Sequence, residues 1–507
     1  MARYKLQDRN SLLLPVVLSE QIVPGSFAFA LDYLVDHELD FSVMDAKFRN
    51  DAVGASAYDP RVMLKIVLLA YSQGLISSRA IERACLRNVQ FVAISGDSQP
   101  SHAHIAKFVS TLGEQIKPLF SQVLMTCDAQ GLIGREMFAI DGVKLPSNAS
   151  KERSGTHDEL RHRAARLDKA ADKIVSLHQS QDMSTQEEPL QAKRQARIDA
   201  LRKEAARTRA FVATTPKRLN HKGEELKSNV TDPESAKMAT NKGVIQGYAA
   251  QAAVDSANQI IIAADIIGSG SEQSMLLPMI AQAAAYREDH TLITADAGYH
   301  SDANVAQLMQ EGIPALIADN QMRSRDERFK DQGKYKGEDD PLYEKKATGQ
   351  AKPLTLFKPK DFSFHDEETC TCPAGKTLKR TGLYTTGQGL HYQHFAAQPQ
   401  DCKSCALRAQ CLRNPQSRRG RQVSKYEPKT KNPLSASERM RCAIDSTIGR
   451  RLYSQRIGTV EPVFGNLRHH KRLGRLNLRG RDKVNTQWHL YCMVHNIEKL
   501  ANKGWRQ

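Results

Sequence analysis

Met137-Phe-Ala-Ile-Asp141-Gly-Val-Lys144 is a short apolar run that ends in a carboxylate and then meets a glycine. The apolar residues are those of a buried strand, and Asp-Gly after a strand is turn chemistry. A plain turn is one reading. The other is that a carboxylate at a strand end, on the rim of a sheet, can hold a metal ion with one side open to substrate. The second reading needs convergence from elsewhere in the chain. Thr291-Leu-Ile-Thr-Ala-Asp296-Ala-Gly has the same grammar of apolar strand, Asp, then glycine. Between the two, residues 243–255 and 260–267 are strand-like and flank Ser256-Ala-Asn-Gln, which predicts a hairpin. Residues 271–288 and 304–311 read as helices, and 313–318 as one more strand. The sum is a mixed α/β sheet in which Asp141 and Asp296 can reach one rim.

Outward from this sheet, residues 1–133 read as a helical domain. Asp59-Pro60 is a cap followed by proline at the first helical position, and the apolar residues that follow recur nearly all round, which predicts a buried helix. A second helix starts at Ser77 and carries Arg79, Arg83 and Arg87. Its arginines suit either a helix-turn-helix DNA reader or an ordinary bundle with a basic face. The sheet domain, 134–318 with 436–507, is interrupted at 151–235 by a charged helical hairpin. Residues 319–435 form a polar, Lys- and Gly-rich insertion that holds most of the cysteines.

The chain has 507 residues, 40% of them hydrophobic, which suggests roughly three domains. Lys and Arg number 73 against 56 Asp and Glu, a net charge of +17, and the pI is about 9.4. That balance favours a polyanionic partner, nucleic acid above all, over a merely basic solvated surface. Nine cysteines in this length do not make a secreted disulfide scaffold. The N-terminus lacks a signal-peptide core, and the apolar run 62–71 is short and contains Lys65, so no membrane span is expected. A cytoplasmic, DNA-accessible protein is the default.

Holding two divalent ions takes a third carboxylate. Glu461, in Thr459-Val-Glu-Pro-Val-Phe-Gly-Asn-Leu-Arg468, is the candidate. Pro462 is tolerated in a first turn, so the helix is expected to start near Thr459 with Glu461 in that turn. The competing account is that glutamate suits a first turn through the helix dipole alone. Hard oxygen ligands suit Mg²⁺, and two ions about 4 Å apart can serve both the attacking and the leaving oxygen of phosphoryl transfer.

The blocks Phe138–Lys144, Gly247-Tyr-Ala-Ala-Gln-Ala-Ala-Val-Asp255, Thr294–Ser301 and Val460-Glu-Pro-Val-Phe-Gly465 together resemble those of bacterial insertion-sequence DDE transposases. The nearest group is the insertion-sequence family eleven-eighty-two. Residues 59–112 are similar to that family's N-terminal transposase domain. The resemblance implies a ribonuclease H-like catalytic fold with Asp141, Asp296 and Glu461 as its three acids. It implies Mg²⁺ or Mn²⁺ as cofactor and double-stranded DNA, both terminal inverted repeats and target, as partner. It also implies a homodimer in the synaptic complex and a bacterial protein associated with the nucleoid when bound. Tyr453-Ser-Gln-Arg456 matches the opening of the related tyrosine-arginine-glutamate-lysine signature. Four residues, not three, separate Arg456 from Glu461, and Arg468 stands where that signature has lysine. Tyr453, Arg456, Arg468 and Lys471, with Arg79 and Arg83, are therefore expected to contact DNA. Two rivals share these features: a structure-directed nuclease, and an inactive relative acting as a DNA-binding regulator.

Cys370-Thr-Cys372, Cys402-Lys-Ser-Cys405 and Cys411 suggest a small Zn²⁺ knuckle with Cys372, Cys402, Cys405 and Cys411 as ligands and Cys370 spare. Cys85, Cys127, Cys442 and Cys492 are isolated and read as core residues. His300, close after Asp296, reads as a supporting residue.

Overall fold

The computed structural model describes residues 17–46, 57–181, 188–220, 223–240, 243–329, 356–385, 391–426 and 434–505. Two compact units result: Met1–Leu342 together with Ala436–Gln507, and Tyr343–Ser435. The second unit begins inside the expected 319–435 insertion.

The first unit opens with helices α1 (Phe27–His37), α2 (Pro60–Ser72), α3 (Ser78–Arg87), α4 (Val89–Ser95), α5 (His102–Thr111) and α6 (Ile116–Ala129). The Asp59 side chain accepts the Arg61 N–H at 2.7 Å, and Pro60 occupies the first turn of α2. As its all-round apolar pattern predicts, α2 is buried on every side. Its lysine is accommodated because Lys65 Nζ donates to Asp32 (2.7 Å) and Asp36 (2.6 Å) on α1.

The sheet follows: β1 (Met137–Pro146), β2 (Ala236–Thr240), β3 (Gly243–Asp255), β4 (Ile261–Ile267), β5 (Leu292–Ala295) and β6 (Ala315–Ile317). Its order is β2-β3-β1-β5-β6, with β4 also on β3. β1 is antiparallel to β3 and parallel to β5. Between β1 and β2 lies the expected hairpin, α7 (His157–Gln181) against α8 (Glu188–Thr214). The expected helix at 271–288 is broken into α9 (Leu276–Gln282) with a 3-10 turn on either side. α10 (Asp302–Gln310) joins β5 to β6.

Two sequence expectations change here. β1 does not turn at Asp141-Gly142 but runs straight through, because β3 supplies partners as far as Pro146; Asp141 faces Ala252 and Gly142 faces Gln251. Nor does a helix begin near Thr459. The chain closes with α11 (Ala436–Asp445), α12 (Thr447–Gly465) and α13 (Arg481–Asn502). α12 is capped by Ser446, whose hydroxyl accepts the Gly449 N–H at 3.0 Å, and Pro462 sits inside it. Proline cannot donate to the carbonyl four residues back. That carbonyl, of Gly458, accepts instead from Gln259 Nε2 at 3.2 Å.

α12 packs on β1, β3 and β5, while α13 packs on β4 and on α1, α2 and α6. Small residues on β3 (Ala249, Ala250, Ala252, Ala253), all fully buried, let these layers approach. Trp488 of α13 donates its indole N–H to the Gln251 carbonyl at 3.0 Å. α13 also repairs an irregularity in β3–β4, where the register shifts between Ala253 and Val254. The Asn496 amide accepts the Ile261 N–H and donates to the Ile261 carbonyl, both at 2.9 Å.

The second unit holds the antiparallel strands β7 (Ser363–Phe364), β8 (Thr369–Thr371), β9 (Thr377–Thr385), β10 (His391–Ala396) and β11 (Gln422–Tyr426), in the order β11-β10-β9-β8-β7. Its small core is Phe362, Cys370, Leu378, Phe395, Ala397 and Val423.

Asn496→Ala should destabilise the first unit by about 2–4 kcal/mol, because a donor and an acceptor of Ile261 are left buried without partners. Guanidinium unfolding followed by circular dichroism reads this, and an unchanged midpoint would remove Asn496 from the account of how β4 is held.

Candidate carboxylate active site

The parallel ladder between β1 and β5 ends at the pair Ile140 and Ala295. Asp141 and Asp296 are the next residues on the two chains, so the ladder brings them side by side. Each aspartate turns one oxygen back to the backbone. Gly142 N–H donates to Asp141 Oδ1 and Gly298 N–H to Asp296 Oδ1, each at 2.8 Å.

A third carboxylate comes from the turn after β4. A Cβ at Gly142 would stand 2.8 Å from Glu272 Oε1 and 2.5 Å from Gln251 Nε2. A Cβ at Gly298 would stand 3.1 Å from Glu272 Oε2 and 3.0 Å from Asp296 Oδ1. The Glu272 carboxylate therefore lies against both glycines that follow the aspartates, and a side chain at Gly142 would displace it from this place. Gln251 Nε2 donates to Glu272 Oε1 at 3.4 Å. Gln251 is itself fixed by the buried Tyr299 hydroxyl, which donates to its Oε1.

Burial pushes the Asp141 carboxyl up and the Asp296 charge pushes the same way, while Arg456 opposes both. Glu272 is raised by burial and then by Asp296 and Asp141. These are the signs of negative charges crowded together. Arg456, on the inner face of α12, answers one of them: its Nη1 donates to Asp141 Oδ2 at 2.7 Å. The guanidinium lies 5.6 Å from the centre of the Tyr453 ring, and burial raises the Tyr453 hydroxyl. Asp255, another buried aspartate nearby in sequence, is occupied otherwise. It accepts backbone N–H groups of Gly134, Arg135, Ala257 and Asn258 and staples the β3–β4 turn.

The other expected site residues fall elsewhere. Glu461 is exposed on α12, while Arg456, Thr459, Val460 and Val463 face inward. Five residues beyond Arg456, it is turned about 140° around the helix from it. Lys471, expected on DNA, is 6% exposed and is held by Glu498 Oε1 at 2.6 Å, so it is spent inside the fold. Arg456, expected there too, is turned to Asp141. Arg468 is exposed in the π turn Asn466–His470. Arg79 and Arg83 are exposed on α3, whose buried face is Ile81 and Cys85. His300 supports the site through its carbonyl, which accepts from Gln273 Nε2 at 2.9 Å.

Cys372, Cys402, Cys405 and Cys411 line one small cavity in the second unit. The expected zinc site is not formed: among the described residues no three His, Cys, Asp or Glu stand close enough to hold a metal. Cys372 and Cys402 accept backbone N–H groups of Lys376 (3.3 Å) and Arg421 (3.4 Å), and these thiols pack against the unit's apolar core. Cys370 is fully buried, as are Cys85, Cys127 and Cys492, but Cys442 is exposed, against expectation.

Glu272 is the residue the sequence did not yield. It lies in Gly268-Ser-Gly-Ser-Glu272-Gln, a composition of turns, separated by four residues from the apolar strand 260–267. The available signal was its place, an acid at the start of the expected 271–288 helix.

A helical N-terminal region, a mixed sheet and acids at the ends of adjacent parallel strands are consistent with a ribonuclease H-like DDE domain. Family comparison agrees. A model described as "Transposase DDE domain" matches residues 371–501, a stretch that includes Glu461 but neither aspartate. A model described as "Transposase domain (DUF772)" matches residues 16–111. Together they indicate an insertion-sequence DDE transposase, without fixing the particular insertion-sequence family. No curated protein matches the chain.

Glu272→Gln should stabilise the metal-free protein by on the order of 1 kcal/mol at neutral pH, by removing one of three crowded charges. A raised carboxyl contributes stability below its unfolded pKa and loses it as pH rises through the folded value. The advantage of the glutamine should therefore be absent below the ordinary carboxylate range and grow as pH rises through the raised Glu272 value. Thermal melts of both proteins across that range test it; equal midpoints throughout would show that Glu272 does not feel the aspartates.

Proposed function

We propose that the protein binds the terminal inverted repeats of its own element and carries out strand cleavage and strand transfer at the Asp141–Asp296 rim. The observation that carries this reading is the meeting of Asp141, Asp296 and Glu272 at the end of the β1–β5 ladder in a chain with two transposase matches. Glu272 is better placed than Glu461 to act as the third carboxylate. The donor set fits a hard divalent ion, since it offers carboxylate oxygens alone. Among the described residues these three carboxylates, like the cysteines, do not stand close enough to form a finished metal cage; Mg²⁺ or Mn²⁺ asks less of the protein, because it keeps water and phosphate oxygens in its shell. Such an ion, when bound, supplies activation of the attacking oxygen and stabilisation of the leaving one.

The chain's own residues then position the phosphodiester. Asp141 and Asp296 hold their carboxylates at fixed angles through the two glycine N–H groups. The Nε–H of Arg456 is buried with no acceptor, which leaves a donor for a phosphate oxygen next to the acids. In the first step, water attacks the phosphorus and the 3′-oxygen leaves as a hydroxyl. In the second, that 3′-hydroxyl attacks a target phosphodiester and displaces the target's own 3′-oxygen. Arg79 and Arg83 on α3, with Arg468, supply backbone contacts to duplex DNA. Joining two element ends calls for a homodimer in the active complex. No helix among the described residues is long and apolar enough to cross a membrane.

Cleavage of labelled DNA carrying the repeats that flank the gene tests the reading. With Mg²⁺ or Mn²⁺ the wild type should cut at the repeat boundary and yield joined products, which simple hydrolysis does not give. Asp141→Asn, Asp296→Asn and Glu272→Gln should each lower the rate more than about a hundredfold, more than is usual for a residue that merely supports a metal ligand. Glu461→Gln should retain cutting. Loss in Glu461→Gln with retention in Glu272→Gln would return the third role to Glu461.

A separate measurement concerns α3. Replacing Arg79 and Arg83 by alanine should weaken repeat binding and reduce the slope of log affinity against log salt by about two, one per lost phosphate contact. An unchanged slope would make α3 an ordinary bundle helix.

A further inference from the structure

We propose that the solvent face of the second unit's sheet is a stacking platform for unpaired DNA bases, built on Tyr384, Tyr392 and Tyr426. The three residues are direct cross-strand partners: Tyr384 faces Tyr392 between β9 and β10, and Tyr392 faces Tyr426 between β10 and β11. Cross-strand partners lie on one face of a sheet. The alternate positions Phe395 and Val423 point the other way and form the core, so the tyrosines stand on the open face. Their rings follow one another as a ladder, with centroids 5.7 Å apart at 25° and 5.1 Å apart at 38°. His394, one row further along the same face, meets the Tyr384 ring edge-on at 5.9 Å.

Three features separate this row from an ordinary surface. First, the rings stay uncovered: Tyr384 is 47% and Tyr426 56% exposed. Second, among the described residues no further strand covers either end of the ladder. Tyr426 lies on the edge strand β11. β8 pairs only with residues 377–379 of β9, so it stops short of Tyr384. Third, Gly382 leaves room for the arrangement, since a Cβ there would fall 2.9–3.0 Å from the Tyr384 ring. A side chain at that position would push the ring out of the row.

The occupant follows from charge and shape. Residues 343–435 contain 17 Lys and Arg against 7 Asp and Glu, and Lys379 is exposed on the same face beyond His394. A polyanion is therefore attracted, and an aromatic face selects the part of it that is flat and apolar. Bases in a duplex already cover one another, so only an unpaired base offers a free face. One base continues the stack at Tyr426 and one at Tyr384, with Tyr392 keeping the two rings upright. Single-stranded DNA, as arises where strands are cut or opened, is the ligand. The inference does not depend on the transposase reading, because its test reads binding alone.

The test uses the full chain and fluorescence anisotropy with a labelled oligothymidine of about 12 nucleotides, within the span such surfaces cover. An abasic deoxyribose-phosphate strand of equal length is the control, and it leaves the protein unaltered. The oligothymidine should bind at least about tenfold more tightly than the abasic strand. Tyr384→Ala and Tyr426→Ala should each lose about tenfold, while Tyr384→Phe and Tyr426→Phe stay within about twofold, since the ring and not the hydroxyl does the stacking. Affinity for a duplex should be unchanged in all four variants. Equal affinity for the abasic strand would overturn the proposal, as would phenylalanine variants as weak as the alanine ones. So would alanine variants that leave oligothymidine binding intact but alter self-association in sedimentation, which would make the face a protein-docking surface.

Discussion

Two aspartates at the ends of adjacent parallel strands are held about 5 Å apart by the sheet itself. That closeness is the constraint around which the first unit is arranged. Neither strand can move its acid away without breaking the ladder, and Glu272 adds a third negative group above the same glycines. Burial first, and the neighbouring charges after it, raise Asp141 and Glu272, and a fixed cation opposes this at Asp141. Arg456 is that cation, and it can reach Asp141 only because α12 crosses β1, β3 and β5. The course of α12 thus answers an electrostatic demand as well as a packing one. Its break in hydrogen bonding at Pro462 is tolerated because Gln259, from the β3–β4 turn, takes the freed carbonyl.

The parts of this arrangement that depend on local pattern were legible in the sequence. The strand before Asp141, the strand before Asp296, the β3–β4 hairpin, the buried α2 and the inserted α7–α8 pair all follow from hydrophobic period and turn composition. What was not legible depends on partners distant in sequence. Asp-Gly at 141–142 reads as a turn until β3, a hundred residues on, supplies a ladder that carries β1 through it. Glu272 reads as a residue in the first turn of a helix until the parallel pairing of β1 and β5 brings two glycines beside it. Lys471 reads as a free basic residue until Glu498, a full helix later, closes on it. Pro462 misled in a different way, since proline's preference for a first turn is a tendency that a well-capped helix can override.

Glu461 shows how a helix can carry a motif and still divide its members. Tyr453 and Arg456, three apart, share a face and meet the acids. A residue four beyond Arg456 would share that face too, but position 460 is valine and is buried in the core. The extra residue between Arg456 and Glu461 turns the glutamate to solvent, and α12 stays regular enough for the offset to persist. The deviation in spacing visible in the sequence and the outward placement in the structure are one fact. Glu272 matters in this light, because it supplies a third carboxylate without asking α12 to rotate.

The charge balance of the chain leads to the same division of labour. Several cations that count towards +17 are consumed internally: Lys65 by Asp32 and Asp36, Arg456 by Asp141, Lys471 by Glu498. Each holds a helix or an acid in place, although Arg456 keeps its Nε–H without an acceptor. By contrast, residues 343–435 are 10 positive charges in excess and enclose only a small core. A unit that buries so little and carries so much of the net charge is poorly explained by stability. Its sheet has spent Phe395 and Val423 on the core face and kept three tyrosines on the other, although aromatic rings left in water contribute little to folding. Rings exposed in a row, in a strongly basic unit, offer a flat apolar face beside cationic side chains, which burial in the unit's own core does not explain.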